Sequence, residues 1–261
     1  MQYPPILEES FHALPSDFEG YNLLCCQKKY RTVNCSPGPT QIPHEVLDNM
    51  KEDMFVSEPE YSYGITPLEI SHRSPEFNDI LQSVNKKLRS YMKIPMEFTI
   101  LWTRGGGHGQ FAAVPLNLQN IPNVKGNYVV TGSWSSRAYQ ESTKFVHSRS
   151  STEEYFNDFI PLQYNTIPRT FQVDKDDTYI YLCSNETING TEFREDGIPY
   201  PTREERENNL LVVDMSSDFG MKEIDWRKID VAFACTSKNF GVSGANITII
   251  RKNVLEKIKD I

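Results

Sequence analysis

Residues 210–217 read Leu-Leu-Val-Val-Asp-Met-Ser-Ser, so four apolar residues run unbroken into Asp214 and then into small polar residues. An alternating strand would keep one face in water, whereas an unbroken apolar run is typical of a strand buried on both faces of a parallel sheet. Five further runs of this kind are Phe98–Thr103, Tyr128–Thr131, Tyr179–Cys183, Val231–Cys235 and Ile247–Ile250. With helical segments between several of them, the runs predict an α/β fold with a mostly parallel sheet flanked by helices.

The clearest predicted helix follows Ser74, which is suited to cap a helix, and Pro75, which is well tolerated in a first turn. An apolar stripe then predicts a face packed on the core; it comprises Phe77, Ile80, Leu81, Val84, Leu88 and Tyr91. Shorter helices are expected over Pro43–Met50, Gln110–Val114 and from Gly132 to about Phe145. The composition elsewhere predicts an N-terminal extension over 1–32, an irregular segment over 51–71 and an exposed loop over 189–209.

The bulk composition excludes several classes of protein. The 261 residues carry a formal net charge of −8, whereas nucleic-acid-binding domains usually present a basic patch. No apolar stretch approaches the roughly 18 residues of a membrane span, and the N-terminus lacks the apolar core of a signal peptide. Five cysteines without paired spacing predict free thiols in a reducing compartment and no metal site. We therefore expect a cytoplasmic protein that binds small molecules, with neither a nucleic-acid nor a membrane partner.

Small and polar residues cluster directly after the predicted strands. In open α/β sheets, ligands bind outside the carboxyl ends of the strands, so clusters at these ends share one edge of the sheet. The clusters are Gly105–Gly109, Ser133-Trp134, Asn185–Thr187, Asp214–Ser217 and Ser237–Asn239. Together they predict a ligand site at that edge.

The first cluster, Gly105-Gly-Gly-His-Gly109, can cradle an anion. Glycines between a strand and a helix let backbone N–H groups approach the ligand at the positive end of the helix dipole. A plain turn is an equally good interpretation of this run taken alone. A nucleotide-binding loop is a weaker one, because the run is neither a Walker loop nor a full G-x-G-x-x-G fingerprint followed by an acidic residue.

Lys238 and Asp214 lie at the ends of two predicted strands, and the 24 residues that separate them accommodate a crossover helix between adjacent parallel strands. A charged group at the end of a buried strand has to be paired or chemically used. Taken singly, a surface lysine and a turn-capping aspartate remain alternatives. Taken together, they match pyridoxal phosphate, which needs a lysine for a Schiff base and an acid that keeps its ring nitrogen protonated. The glycine run would supply a cradle for its phosphate.

Seven stretches, in order, resemble the phosphoserine aminotransferases, a class V aminotransferase family of fold type I. They are Ser36–Pro39 with Ile42–Leu47, Glu69–Ser74, Gly105–Asn117, Val130–Ser135, Cys183–Ile188, Asp214–Asp218 and Ser237–Gly241. Each motif alone is modest, whereas the ordered set is specific. The resemblance implies that residues 33–261 form the pyridoxal-phosphate-binding large domain of that fold.

The resemblance also implies roles for single residues. Lys238 would form the Schiff base and carry a proton between the substrate α carbon and the cofactor, while Asp214 would pair with the ring nitrogen. Trp134 would stack on the ring, and Thr187 would hydrogen-bond its 3-oxygen. The phosphate would be held by Ser216, Ser237 and the backbone of Gly107 and His108. Two of these residues depart from the family, which usually has Gln in place of Ser237 and often Arg or Ser in place of His108.

The implied enzyme is a homodimer in which His72 and Arg73 reach across the interface toward the substrate phosphate. Its reaction is reversible amino transfer between L-glutamate and 3-phosphohydroxypyruvate, giving O-phosphoserine and 2-oxoglutarate in serine biosynthesis. The chain stops at Ile261, where the family continues with a small C-terminal domain that carries the arginine for the substrate α-carboxylate. A second interpretation therefore stays open, a non-catalytic relative that binds the cofactor and acts as a binding or structural protein.

Overall fold

The computed structural model describes residues 33–55, 66–151, 167, 172–193, 198, 200–206 and 209–259. The chain divides into two compact units, Met1–Val33 and Asn34–Ile261. The expected N-terminal extension over residues 1–32 lies outside the described residues. The second unit holds the fold that follows.

The described residues form six helices and nine strands. In chain order they are α1 (His44–Phe55), α2 (Pro75–Tyr91), β1 (Phe98–Arg104), α3 (Gly106–Leu118), β2 (Lys125–Val129), α4 (Ser133–Ser142), β3 (His147–Ser150), β4 (Tyr179–Cys183), β5 (Asn185–Glu186), β6 (Thr191–Glu192), β7 (Leu210–Asp214), β8 (Val231–Cys235), α5 (Thr236–Asn239), β9 (Ala245–Arg251) and α6 (Lys252–Lys259). No helix in this described part of the chain is both long and apolar enough to span a membrane.

Seven of the strands form one sheet in the order β1-β9-β8-β7-β4-β2-β3. The pairs among β8, β7, β4, β2 and β3 are all parallel, whereas β9 runs antiparallel to both β1 and β8. The mostly parallel sheet expected from the sequence is therefore confirmed. Strand β1 is antiparallel to β9, and β9 is antiparallel to β8, so β1 runs in the same direction as β8. The carboxyl end of β1 therefore lies at the same edge of the sheet as the carboxyl ends of the parallel strands.

The central strands are buried on both faces, which explains their unbroken apolar sequences. In β7, Leu211 and Val213 join the hydrophobic core on one face of the sheet, and Leu210 and Val212 join the core on the other face. Helix α2 covers the first core, and helices α3, α4 and α6 cover the second. Each fully buried side chain of this size contributes about 1.5–3 kcal/mol of hydrophobic stabilisation.

All six predicted strands are present, and the differences from expectation have local causes. Strand β3 was not predicted because its sequence, His-Ser-Arg-Ser, is polar and it lies at the edge of the sheet. The connection between β7 and β8 consists of turns, so the crossover helix that the spacing would accommodate is not formed. The glycine run is itself the first turn of α3, which begins at Gly106 rather than Gln110.

Three further expectations were wrong in part. The loop over residues 189–209 is not uniformly exposed, because Phe193 and Tyr200 are buried in the core. The segment over 51–71 is helical as far as Phe55, and residues 56–65 lie outside the description. Helix α2 has the predicted Ser74 cap, but its apolar stripe is not all core: the exposed fractions of Ile80 and Val84 are 40% and 39%.

Candidate active site

The register of the sheet brings three strand ends side by side. Cys183 of β4 pairs with Asp214 of β7, and Asp214 pairs with Phe233 of β8. The backbone N–H of Ser184 continues the ladder by donating to the Asp214 carbonyl at 2.9 Å. The segments that follow β4, β7 and β8 therefore leave the sheet next to one another, as the sequence predicts.

Asp214 is a buried carboxyl group at the bottom of this edge. Its Oδ1 accepts a hydrogen bond from the Ser216 backbone N–H at 2.9 Å, and the Tyr181 hydroxyl donates to its Oδ2 at 3.4 Å. Burial raises the pKa of Asp214 to about 6, and the hydrogen bonds from Ser216 oppose that shift. A cationic N–H group facing this carboxylate would offset the cost of desolvation, and a protonated ring nitrogen is such a group.

The glycine turn at the start of α3 forms a helix N-terminus without a side-chain cap in the described part of the chain. Gly105 precedes the helix at φ +110°, a conformation that glycine adopts without steric cost, and no described side chain caps the helix. The first N–H groups of α3 have no acceptor within the helix and lie at the positive end of the helix dipole, where an anion is stabilised. Asn246 of β9 holds this turn in place because its Nδ2 donates to the Gly106 carbonyl at 2.8 Å.

Cys235 connects the glycine turn with the segment after β7. A Cβ atom on Gly107 would lie 3.5 Å from the Cys235 Sγ, and the Ser216 hydroxyl lies 3.4 Å from the same sulfur. Burial raises the pKa of the Cys235 thiol, and hydrogen bonds from Ser216 and from the Gly107 backbone oppose this effect. The structure thus brings together Ser216 and Gly107, two of the residues predicted to hold a phosphate.

Trp134 and Thr187 also meet, although they come from different elements. The indole Nε1 of Trp134 donates to the Thr187 hydroxyl at 2.9 Å. The Arg137 guanidinium lies over the Trp134 ring, 5.0 Å from its centroid, and the His108 ring makes an edge contact with a centroid distance of 6.1 Å. A half-buried indole held in this way is suited to cover a flat ring.

Glu186 belongs to one of the predicted clusters, but the sequence indicated no role for it. It is fully buried, and it accepts hydrogen bonds from the backbone N–H groups of Trp134 and Ser135, both at 2.8 Å, and from the Ser135 hydroxyl at 2.5 Å. A carboxylate from the β5–β6 hairpin therefore satisfies the N-terminal donors of α4 and complements its dipole. Its position in Asn185-Glu-Thr187, directly after a buried strand, was the available signal.

Replacing Glu186 with alanine is expected to destabilise the fold by about 3 kcal/mol, because three donors lose a charged acceptor. The measurement is the free energy of unfolding in urea. Glu192→Ala is the control, since this exposed carboxylate on the same hairpin forms a surface ion pair with Lys222, worth at most about 1 kcal/mol. Equal losses in the two variants would contradict the capping role.

Lys238 lies in the short helix α5, directly after β8. Its side chain is half-buried, and its Nζ donates a hydrogen bond to the Pro37 carbonyl at 2.7 Å. The neighbouring Ser237 accepts at its backbone carbonyl from the Thr40 N–H at 3.1 Å, while its hydroxyl has no hydrogen-bond partner among the described residues. The lysine amine is thus held by the protein at the edge where Asp214 and Ser216 lie.

His72 and Arg73 do not join this group. Both are exposed in the turn before α2, and neither side chain forms a hydrogen bond or ion pair with the described part of the chain. Their predicted role at a neighbouring active site stays a prediction.

The chain matches the family described as "Aminotransferase class-V" over residues 32–261, and it therefore belongs to the class-V aminotransferase family. A Caenorhabditis elegans relative named "Probable phosphoserine aminotransferase" is 37% identical over 87% of this chain and 58% of its own length. The solved phosphoserine aminotransferase from Bacillus circulans subsp. alkalophilus is 29% identical, with a TM-score of 0.73 over 87% of this chain and 59% of that one.

A PLP-bound phosphoserine aminotransferase from Trichomonas vaginalis is 31% identical, with a TM-score of 0.73 over 87% of this chain and 63% of that one. This chain accordingly spans 58–63% of the length of the three similar proteins. The family resemblance found in the motifs and the fold class are both confirmed by these matches.

Proposed function

We propose that this chain is the cofactor-binding part of a phosphoserine aminotransferase, which transfers an amino group between L-glutamate and 3-phosphohydroxypyruvate. One observation carries the proposal: the buried Asp214 ends β7, Lys238 directly follows the neighbouring parallel strand β8, and Cys235 at the end of β8 contacts both Ser216 and the uncapped glycine turn of α3. The names of the similar proteins supply the substrate class.

The donors and acceptors at this edge fit pyridoxal phosphate. The phosphate would be held by the N–H groups of Gly107 and His108 and by the Ser216 hydroxyl, with the Ser237 hydroxyl as a further donor. Asp214 would face the ring nitrogen, Trp134 would cover one face of the ring, and the Thr187 hydroxyl would bind its 3-oxygen. The bound cofactor supplies an electron sink for negative charge at the substrate α carbon.

The chain's own residues would then do three things. The Lys238 amine would take a proton from the substrate α carbon and hold it for return, which is general acid–base catalysis by a positioned group. The Asp214 carboxylate would accept a hydrogen bond from the ring nitrogen and so keep a proton there. Trp134, fixed through Thr187 and the Glu186 cap, shields the ring from water.

The test of this function is a titration with O-phosphoserine of the protein loaded with pyridoxal phosphate. An active enzyme moves the absorption from the band of the lysine-bound cofactor to that of its amine form, and 2-oxoglutarate reverses the change. If the band formed but did not respond to either compound, the chain would be a cofactor-binding protein that carries out no transfer.

We further propose a homodimer in which His72 and Arg73 contact the substrate phosphate of the neighbouring subunit. Two observations support it. Both residues are exposed, and helix α2, which follows them, leaves the apolar Ile80 and Val84 partly in solvent.

The free thiols of Cys35, Cys183 and Cys235 support a reducing, cytoplasmic location.

Co-expression of Lys238→Ala with Arg73→Ala tests the proposed homodimer. Each variant alone should be inactive or nearly so, whereas a mixed dimer contains one site of two with both residues intact, so the copurified mixed dimers should recover about half of the parental activity. Activity is measured as 2-oxoglutarate formation after the two separately tagged chains are copurified. No recovery in copurified dimers would place Arg73 at the site of its own subunit or outside both sites.

A further inference from the structure

The segment Ser36–Thr40 closes against Lys238 at both its side chain and its backbone. The Pro37 carbonyl accepts from the lysine Nζ at 2.7 Å, and the Thr40 hydroxyl donates to the Lys238 carbonyl at 2.5 Å. The Thr40 N–H also donates to the Ser237 carbonyl at 3.1 Å. Three hydrogen bonds therefore connect this segment to two successive residues from a remote part of the chain.

Gly38 lies where only a residue without a side chain fits. Its φ of +152° is a conformation that residues with a Cβ rarely adopt. A Cβ atom at this position would lie 2.5 Å from the Lys238 Nζ, 2.6 Å from its Cδ and 2.8 Å from its Cε. The end of the Lys238 side chain therefore occupies the space that a side chain at position 38 would need.

We propose that Gly38 is a positioning residue for Lys238, and that the Pro37 carbonyl is the acceptor of the lysine amine whenever that amine is not bonded to the cofactor. The cofactor part of this inference rests on the proposed function, while the placement of the amine does not. In the bonding reaction, the ammonium gives one proton to solvent and its nitrogen bonds to the aldehyde carbon. Its two remaining hydrogens leave with the aldehyde oxygen as water.

A side chain at position 38 would move the lysine rather than the backbone, because the contacted atoms form the end of a flexible chain. Gly38→Ala should therefore unfold at nearly the same urea concentration as a variant with similar backbone strain but no contact. Gly244→Ala is that control, since Gly244 has φ +121° and a Cβ atom there would meet no described atom within 4 Å. The two variants then differ mainly in where the amine lies.

The decisive measurement is the rate at which each variant captures pyridoxal phosphate, followed by absorbance and by borohydride reduction with peptide mass analysis. Gly38→Ala should be at least about tenfold slower than Gly244→Ala, since a misplacement of about 1 Å can cost about 10²-fold in a positioned reaction. Binding of 4′-deoxypyridoxine phosphate, which has no aldehyde, should be equal in both. Equal capture rates in folded variants would overturn the proposal.

A second arm uses no cofactor and so separates this inference from the proposed function. Trace acetylation, quantified by peptide mass, reports the reactivity of the Lys238 amine at about pH 8. Gly38→Ala should raise it about fivefold over Gly244→Ala, the factor expected for losing one hydrogen bond. Unchanged labelling would overturn the placement, whereas a wild-type protein that captures no cofactor would refute only the proposed function.

Should Gly38→Ala fail to fold, Thr40→Val carries the same test. It removes the hydroxyl that donates to the Lys238 carbonyl and keeps the shape of the side chain. Slower capture and faster labelling are expected in the same directions, and parental values in both would overturn the proposal.

Discussion

Lys238→Ala is expected to abolish the absorption band that pyridoxal phosphate should produce with the wild-type chain, and with it the proposed amino transfer. The reason is that Lys238 is the amine held at the edge of the sheet beside Asp214 and Ser216. Loss of proton transfer alone costs about 10²–10⁴-fold in rate, and loss of the covalent link adds to this. The measurements are the absorption spectrum and the rate of 2-oxoglutarate formation.

The control for this variant is Lys93→Ala. Lys93 is an exposed lysine that pairs with Glu223 at the surface, so its removal should leave the band and the rate unchanged. Persistence of the band in Lys238→Ala, with the reduced cofactor found on another lysine peptide, would remove Lys238 from its proposed role.

Asp214→Asn is expected to stabilise the cofactor-free fold at about pH 8 and to abolish transfer. Because burial raises the pKa of Asp214 to about 6, the folded protein binds a proton at this site more tightly than the unfolded chain, whose Asp has a pKa near about 3.9. Stability therefore falls as the pH rises from about 4 to about 6, and the penalty persists above that range. Since one pKa unit corresponds to about 1.4 kcal/mol, the gain from Asn is on the order of 2–3 kcal/mol.

Urea unfolding at about pH 4 and about pH 8 measures this effect. The free energy of unfolding of the variant should lack the pH dependence that Asp214 contributes. The variant should therefore be more stable than the parent at the higher pH and equally stable at the lower one. Asp177→Asn is the opposite control, because this buried carboxylate forms an ion pair with Arg149 at 2.5 Å, and the variant should be less stable than the parent. An Asp214→Asn protein no more stable than the parent at the higher pH would contradict the burial effect.

The Asp214 carboxylate lowers the stability of the cofactor-free fold but is required for the proposed function. An ionised carboxylate buried without a cationic partner weakens the fold, yet the same carboxylate can keep a proton on a bound ring nitrogen. Glu186 differs because three hydrogen bonds compensate its burial. Loading with pyridoxal phosphate should therefore stabilise the wild-type chain more than the Asp214→Asn variant.

The sheet and most of the edge that carries the site could be predicted from the amino-acid sequence. An unbroken apolar run such as Leu210–Val213 is removed from water only when its strand is buried on both faces of the sheet. This pattern can be recognised in the amino-acid sequence alone. The residue types after each run, Asp214 and Lys238 above all, then indicated the chemistry. Burial and residue type are properties of short segments, which is why they can be read along the chain.

The contacts between distant parts of the chain could not be predicted and are seen only in the folded protein. The antiparallel direction of β9, the Glu186 cap on α4 and the contact of Gly38 with Lys238 all depend on pairings between remote segments. No local sequence pattern predicts these contacts. The need for glycine at position 38, for example, arises only because a lysine from a remote part of the chain packs against it. Short-range periodicity and composition specify the strands and their ends, whereas packing specifies which atoms meet there.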